Sequence, residues 1–367
     1  MRVTVVGAGI MGLCTAWALK RRGHTVTVLD RAQVPNPLGS SVDRSRLLRQ
    51  PYGAERGYAA MVPDALAAWD RLWEDLGTSL YVPTGTLVLG TGASRWMRDS
   101  AETLAALGVA VDRLDRTALG RRYPLIHPEY YDEGFHVDSG GVLLAGRIVE
   151  LLAHRLVGNT VSLWPRLAVR GIDPERGTAD LADGRTLEAD RMVVAAGPWT
   201  PRLLPELAAR LTATRQVYIY LSPSPDMMEP WRTMPMILDI DPERGFYLVP
   251  PVGGTAIKIG DHRPGAAGSP DERREVGPEE AADLFTSCRA RLTGGERFRP
   301  VDAHTCFYTM APEDRFIVEP IGARAWVLAG FSGHGFKFAP LIAERLAAAL
   351  DEAADPAALT AWAAGRG

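Results

Sequence analysis

At 367 residues the chain is longer than one compact core of about 150 residues requires, which implies two lobes. Its 46% hydrophobic and 23% charged content excludes extensive disorder. Lys plus Arg total 41 against 44 Asp plus Glu with no block of like charge, which argues against nucleic acid or an anionic membrane as partner and for a small molecule.

The first element is read from "VTVVGAGIMGLCTAWALKRRGHTVTVLD". The apolar run from Val3 to Leu19 resembles a targeting or spanning segment in composition, but Gly7, Gly9 and Gly12 interrupt it, so no such segment is expected. The pattern predicts a strand at Val3 to Val6, a GxGxxG turn, an amphipathic helix to about Arg22 and a second strand ending at Asp30. Gly7 makes the turn, Gly9 lets the backbone approach a pyrophosphate, and Gly12 lets helix and strand pack closely. Asp30 is placed to accept a hydrogen bond from an adenosine ribose, and its charge disfavours NADP, leaving NAD and FAD.

Two later segments repeat this logic. "RMVVAAGPWTPRLL" predicts a buried strand, Met192 to Ala196, running into a small turn at Gly197, Pro198 and Trp199. Flavoproteins of the glutathione-reductase-like type place such a turn beside the dinucleotide, which favours FAD. "AWVLAGFSGHGFKFAPLIAERLAAAL" predicts a strand at Trp326 to Ala329, a glycine-rich turn and a helix from about Pro340. Backbone N–H groups and a helix N-terminus there would favour negative charge on a reduced flavin. The cofactor lobe is thus expected to be discontinuous (1–80, 141–215 and 315–367), enclosing a substrate lobe of 81–140 and 216–314. The latter holds short alternating runs such as "GFYLVPPVGGTAIKIG" that suit an antiparallel sheet. The fold class is α/β, a Rossmann FAD domain with an α+β substrate domain. "SPSPDMMEP" and "HRPGAAGSPDERRE" read as exposed loops.

Cys14, Cys288 and Cys306 are widely spaced with no CxxC pair, which argues against a disulfide framework or a metal site and fits a reducing, cytoplasmic setting. Arg46 and Arg49 are three apart in "RSRLLR", a spacing that a helical turn would put on one side; Arg44 reads as part of a basic surface turn. Lys337 lies between Phe336 and Phe338, where a charge is costly unless it meets an anion.

"VGAGIMG", "GSSVDRSRLLRQPYG", "IKIGDH", "HTCFYT" and "GFSGHGFKF" occur in this order along the chain. Together they resemble monomeric sarcosine oxidase and N-methyltryptophan oxidase, members of the D-amino-acid-oxidase-like flavoenzymes. The resemblance implies FAD joined covalently through Cys306, with Gly7, Gly9, Ile10, Met11, Gly12, Asp30, Arg31, Ser40, Arg46, Gly197, Trp199, Gly333, Gly335 and Lys337 as cofactor contacts. It implies Lys258 as the group that promotes reaction with O2, Arg46 beside the flavin, and Arg49 with Lys337 as the grip on a substrate carboxylate. Tyr247 and His262 would line the substrate side, and Tyr308 follows the attachment cysteine by two residues.

The implied protein is a cytoplasmic monomer acting on a small amine or amino acid with O2. One departure stands out: Ser41 and Val42 occupy the place of two adjacent family histidines, so sarcosine is not assigned. The expected activity is oxidation of a small secondary or cyclic amino acid to an imine, with hydrogen peroxide formed. The neutral amine would be favoured by the cations Arg46, Lys258 and Lys337. Biosynthetic dehydrogenation of a cyclic amine is the nearer alternative, and flavin binding without turnover the more distant one.

Overall fold

The computed structural model describes residues 1–92, 94–261 and 265–366. Its first sheet runs in the order Ile317–Ile321, Ala325–Ala329, Arg191–Val194, Arg2–Val6, Thr25–Leu29, Ser162–Trp164. All neighbours are parallel except the edge strand Ile317–Ile321. Side chains alternate across such strands. Val3, Val5 and Val193 therefore share a core with the helices Ile10–Arg21 and Ala339–Leu350, while Met192, Val194 and Val327 pack toward the other face. There a three-stranded antiparallel sheet, Val169–Asp173, Thr178–Leu181 and Thr186–Glu188, covers them. Strand ends from three distant parts of the sequence are thereby brought side by side.

The second sheet has eight strands, ordered Arg299–Met310, Thr212–Ser222, Ile257–Asp261, Phe246–Val249, Met236–Asp239, Thr86–Gly90, Glu133–Val137 and Asp112–Asp115. It is antiparallel apart from the pair Met236–Asp239 and Thr86–Gly90, a mixed sheet where a wholly antiparallel one was expected.

Its register positions the site. Directly opposed residues point to the same face, and the pairs Gln216↔Cys306, Thr214↔Tyr308, Tyr220↔Lys258 and Tyr218↔Gly260, continued by Tyr247↔Gly260 and Leu238↔Tyr247, put all these residues on one side. The intervening Ile219, Leu221, Leu248, Ile257 and Ile259 face the other side and pack with Leu284 and Cys288 of the helix Pro278–Arg289. A strand pattern of two thus separates chemistry from core. Gly260 is required by this face: a Cβ there would lie 2.2 Å from the Tyr247 hydroxyl, so its absence lets the tyrosine ring cross the neighbouring strand.

Two local expectations are corrected. Arg46 and Arg49 do not share a helical turn; Arg46–Leu48 is a short strand paired with Gly141–Leu143, because its apolar residues are needed at a sheet edge. "SPSPDMMEP" is not an exposed loop, since it forms a 3-10 turn and the helix Met228–Arg232. That segment buries Met227 and Trp231 against the apolar side of the eight-stranded sheet.

Candidate active site

Two cavities lie where the sheets meet. The first is lined by the turn after the first strand, by Asp30 and Arg31 at the end of the second, by Ala195 to Trp199 and by Gly333 and Gly335. Its floor cannot carry side chains: Gly7 has φ +108° and a Cβ there would stand 2.3 Å from the Ala195 carbonyl oxygen. Ile10 and Met11, which open the helix, also line it. Gly12 does not, and serves packing, its would-be Cβ lying 1.8 Å from the Gly7 carbonyl oxygen.

Asp30 is buried, and burial raises its carboxyl above the usual range although three hydrogen bonds oppose this. Oδ2 accepts from Ala8 N (2.9 Å), and Oδ1 from Ala32 N (2.9 Å) and Asn36 Nδ2 (3.2 Å). The carboxylate therefore braces the glycine turn while still bordering the cavity. The N–H of Ile10, the first of the helix, reaches the hydroxyl of Ser41 at 2.9 Å, a residue noted in the sequence only as a departure from a family histidine. Ser40 borders the same cavity and donates to the Phe307 carbonyl at 2.5 Å. Arg31 and Trp199 converge on Asp271, at 3.0 and 2.8 Å, so the segment after residue 265 is strapped across this end. A glycine floor, a helix N-terminus and a carboxylate at the second strand's end fit the pyrophosphate and ribose of FAD.

The second cavity, of about 560 Å3, is of small-molecule size. Arg46, Tyr308, Gly333 and Phe336 border both cavities, so the two meet there. Lys258, Arg49, Lys337 and Tyr247 line the second only, together with Gln216, Trp96 and Leu238. Lys337, also expected at the cofactor, therefore belongs to this side. Val42 borders the first cavity, where it offers no titrating group. His262 lies outside the described residues.

Four cations converge here, but they are not equivalent. Lys258 is 1% exposed; its ammonium and the Arg46 guanidinium both donate to Oδ2 of Asp43. Oδ1 of Asp43 accepts from the Tyr220 hydroxyl and from Arg44 N at 2.7 Å. Lys258 and Arg46 together hold the Asp43 carboxyl below its usual range against its own burial. Lys258 is nevertheless lowered from the ordinary lysine range, because burial, with Arg46 adding to it, outweighs Asp43. One carboxylate shared between two cations leaves a net positive charge, and the lysine, unlike the guanidinium, can give it up. The cationic environment expected of Arg46, Lys258 and Lys337 thus includes a carboxylate, Asp43, which shares one negative charge between two of them.

Arg49 and Lys337 have no carboxylate partner among the described residues. Lys337 is 3% exposed and donates to the Tyr52 hydroxyl at 2.6 Å and the His334 carbonyl at 3.2 Å. Its carbonyl is fixed by Trp69 Nε1 at 2.7 Å. Arg49 stacks on Tyr52, its guanidinium carbon 4.1 Å from the ring centroid, and donates to the Pro51 carbonyl. Burial, then the Arg49 charge, push Lys337 well below the ordinary lysine range.

Cys306 is buried and borders neither cavity directly, although it lies on the same face of its strand as Tyr308, which borders both. Burial raises its thiol, opposed by Arg46 and Lys258. Cys14 and Cys288 are core residues that border neither cavity, in the clusters under the parallel sheet and behind the eight-stranded one. Arg44 is no free surface cation, since it pairs with Asp302 at 2.8 Å and stacks on Tyr220 at 4.2 Å.

A dinucleotide cavity opening onto a sheet-walled chamber that holds four basic side chains is the arrangement of a dinucleotide-dependent oxidoreductase. A family model described as FAD dependent oxidoreductase matches residues 2–349, and the chain belongs to that family. It is 30% identical to the monomeric sarcosine oxidase of Bacillus sp. (strain B-0618), over 94% of this chain and 90% of that one. It is 27% identical to the N-methyl-L-tryptophan oxidase of Yersinia pestis (strain Pestoides F), over 99% and 98%. Among solved structures, NikD, an unusual amino acid oxidase essential for nikkomycin biosynthesis, matches with TM-score 0.82 at 22% identity, over 98% of this chain and 96% of that one. The L-proline dehydrogenase from P. horikoshii matches with TM-score 0.84 at 18% identity, over 100% and 96%. These two support the fold. No helix among the described residues is long and apolar enough to cross a membrane.

Proposed function

We propose that this protein oxidises the C–N bond of a small secondary or cyclic amino acid to an imine, with O2 reduced to hydrogen peroxide. The observation that carries this reading is the pair Arg49 and Lys337: two basic side chains without a carboxylate partner among the described residues, one of them buried, at the wall of a small-molecule cavity. A buried charge of this kind is costly unless an anion is supplied, and a substrate carboxylate supplies it. The planar donors of Arg49 and the remaining N–H of Lys337 can clamp both oxygens.

Bound FAD supplies the two-electron acceptor and the route to O2. The chain's own part is to orient and to tune charge. With the carboxylate held at Arg49 and Lys337, the amine end is directed toward the edge shared by the two cavities, at Arg46, Tyr308 and Phe336. Tyr247, Trp96 and Leu238 exclude water around the reacting carbon. The net positive charge of the Asp43, Arg46 and Lys258 group favours the neutral amine, whose lone pair is needed to release a hydride equivalent.

A panel of proline, pipecolate, sarcosine and N-methyltryptophan, each beside its counterpart lacking the carboxylate, checks this by peroxide release. At least one amino acid should turn over, with its decarboxylated counterpart slower by roughly tenfold or more in kcat/KM, the worth of a charge-assisted hydrogen bond. Equal rates for a pair would remove the carboxylate clamp. Formation of an unsaturated or aromatic product from a cyclic substrate would instead favour the biosynthetic dehydrogenation.

We further propose that Cys306 carries the cofactor covalently. Its strand face, shared with Tyr308 which borders both cavities, supports this, and Arg46 and Lys258 partly offset the burial that raises its thiol. Intact mass of the denatured protein should exceed that of the chain by one FAD, with the adduct on the Cys306 peptide and none in Cys306→Ser. Free flavin released from an unmodified chain would withdraw the assignment.

A further inference from the structure

Asp43 lies behind Arg46 and Lys258, which line the cavities, and its carboxylate has four hydrogen-bond partners. Its side chain is 1% exposed. Arg46 and Lys258 occupy Oδ2, while the Tyr220 hydroxyl and the Arg44 N–H occupy Oδ1, filling the roughly four acceptor sites of a carboxylate. The main chain is held as well, since the Asp43 carbonyl accepts from Gly146 N at 2.7 Å. Lys258 in turn spends two of its donors on Asp43 and the Ser45 carbonyl, the latter at 3.3 Å. Its Nζ lies 4.5 and 5.4 Å from the ring centroids of Tyr218 and Tyr247, and Lys258 and Tyr247 both line the second cavity.

We propose that Asp43 is the positioning residue that keeps Lys258 an ammonium ion aimed into the cofactor–substrate space, sharing its single negative charge between that lysine and Arg46. The inference rests on the flavin-oxidase reading of the site but concerns how one charge is maintained there. Beyond the carboxylates Asp241, Asp261 and Asp314, which line the same cavity, the groups that bear directly on Lys258 are Asp43, Arg46, Cys306, Tyr218, Tyr220 and Tyr247. Of these only Asp43 is anionic at neutral pH: burial raises the phenols of Tyr218, Tyr220 and Tyr247 and the thiol of Cys306. Without Asp43, burial and Arg46 would act on Lys258 unopposed, and both favour the neutral amine.

The test is a pH titration of the visible absorption of the oxidised, flavin-loaded enzyme, which responds to charge beside the isoalloxazine and needs no amine substrate. The parent should show an inflection above neutral pH that is lost in Lys258→Met, identifying the lysine as the titrating group. In Asp43→Asn, which keeps size and hydrogen-bonding shape, the inflection should move down by at least one pH unit, and the pH dependence of reoxidation of dithionite-reduced enzyme by O2 should move with it. Arg46→Met provides an independent arm should Asp43→Asn fail to accumulate: Asp43 then serves Lys258 alone, and the inflection should move up.

An unchanged inflection in either variant, or one that survives Lys258→Met, would overturn the proposal. Failure of every amine in the substrate panel would sink the proposed activity and leave this titration interpretable, so the two can be told apart.

Discussion

Lys258→Met is expected to slow the reaction of the reduced enzyme with O2 by on the order of 100- to 1000-fold, the usual effect of removing one preorganised charge from a developing anion. Reduction by the substrate should change far less. The asymmetry follows from charge and position: the Lys258 ammonium is already paired with Asp43, so a substrate carboxylate gains little from it, whereas Lys258 lines the chamber where O2 would meet the flavin. Methionine matches the length and flexibility of the lysine stem and leaves Asp43 paired with Arg46, so the wall loses one charge without stranding another. Stopped-flow measurement of the two half-reactions separates the outcomes. Equal slowing of both would mean that Lys258 acts on the amine, and an unaffected O2 reaction would remove it from oxygen chemistry altogether.

What the sequence disclosed and withheld divides along physical lines. The first βα turn was legible because its requirements are local: Gly7 and Gly12 sit where no Cβ fits, and Asp30 ends the next strand. The eight-stranded sheet was legible as strands, since alternation at "GFYLVPPVGGTAIKIG" is itself the record of one apolar and one functional face. Its single parallel pair was not, because pairing direction leaves no local mark. Lys258, Arg49 and Lys337 were named through the family resemblance and are brought together by the fold.

Asp43 escaped notice for a definite reason. It stands in "SVDRSR", where its neighbours are the cations Arg44 and Arg46, and local charge balance explains it away. Its main partner lies 215 residues later and is chosen by strand register. The same distance effect hid the contact of Ser41 with Ile10, which forms only after the chain has closed around the first turn. The placement of Arg46 and Arg49 on a helical turn failed because a spacing of three suits a helix only when the segment is one, and "RLL" pairs as a strand instead.

Lys337→Met should separate stability from function. In the enzyme without a bound carboxylate the Lys337 amine is buried with only neutral acceptors, so holding a proton there is costly; where the folded-state lysine is protonated, its removal relieves that cost and Tm should rise by roughly 1–3 °C. Its depressed pKa fixes the sign of the pH dependence. Between the lowered folded-state value and the ordinary lysine value of about 10.4 the unfolded chain holds the extra proton, so the parent gains stability as pH rises through that interval. The variant lacks this gain, and its Tm advantage should shrink from neutral pH upward.

Binding should respond in the opposite sense. A carboxylate at Arg49 restores the reason for Lys337 to be charged, so a non-reactive carboxylate ligand takes up a proton as it binds, and its affinity for the parent should fall as pH rises. In Lys337→Met that affinity should be weaker by roughly 10- to 100-fold, the equivalent of about 1.5–3 kcal/mol for one charge-assisted hydrogen bond, and the pH dependence should flatten. Flavin difference spectra give the affinities, and thermal unfolding with and without ligand gives the stabilities. A variant that is less stable than the parent while binding the carboxylate equally well would show that Lys337 is a structural cation satisfied by Tyr52 and His334, and Arg49 alone would then have to hold the substrate.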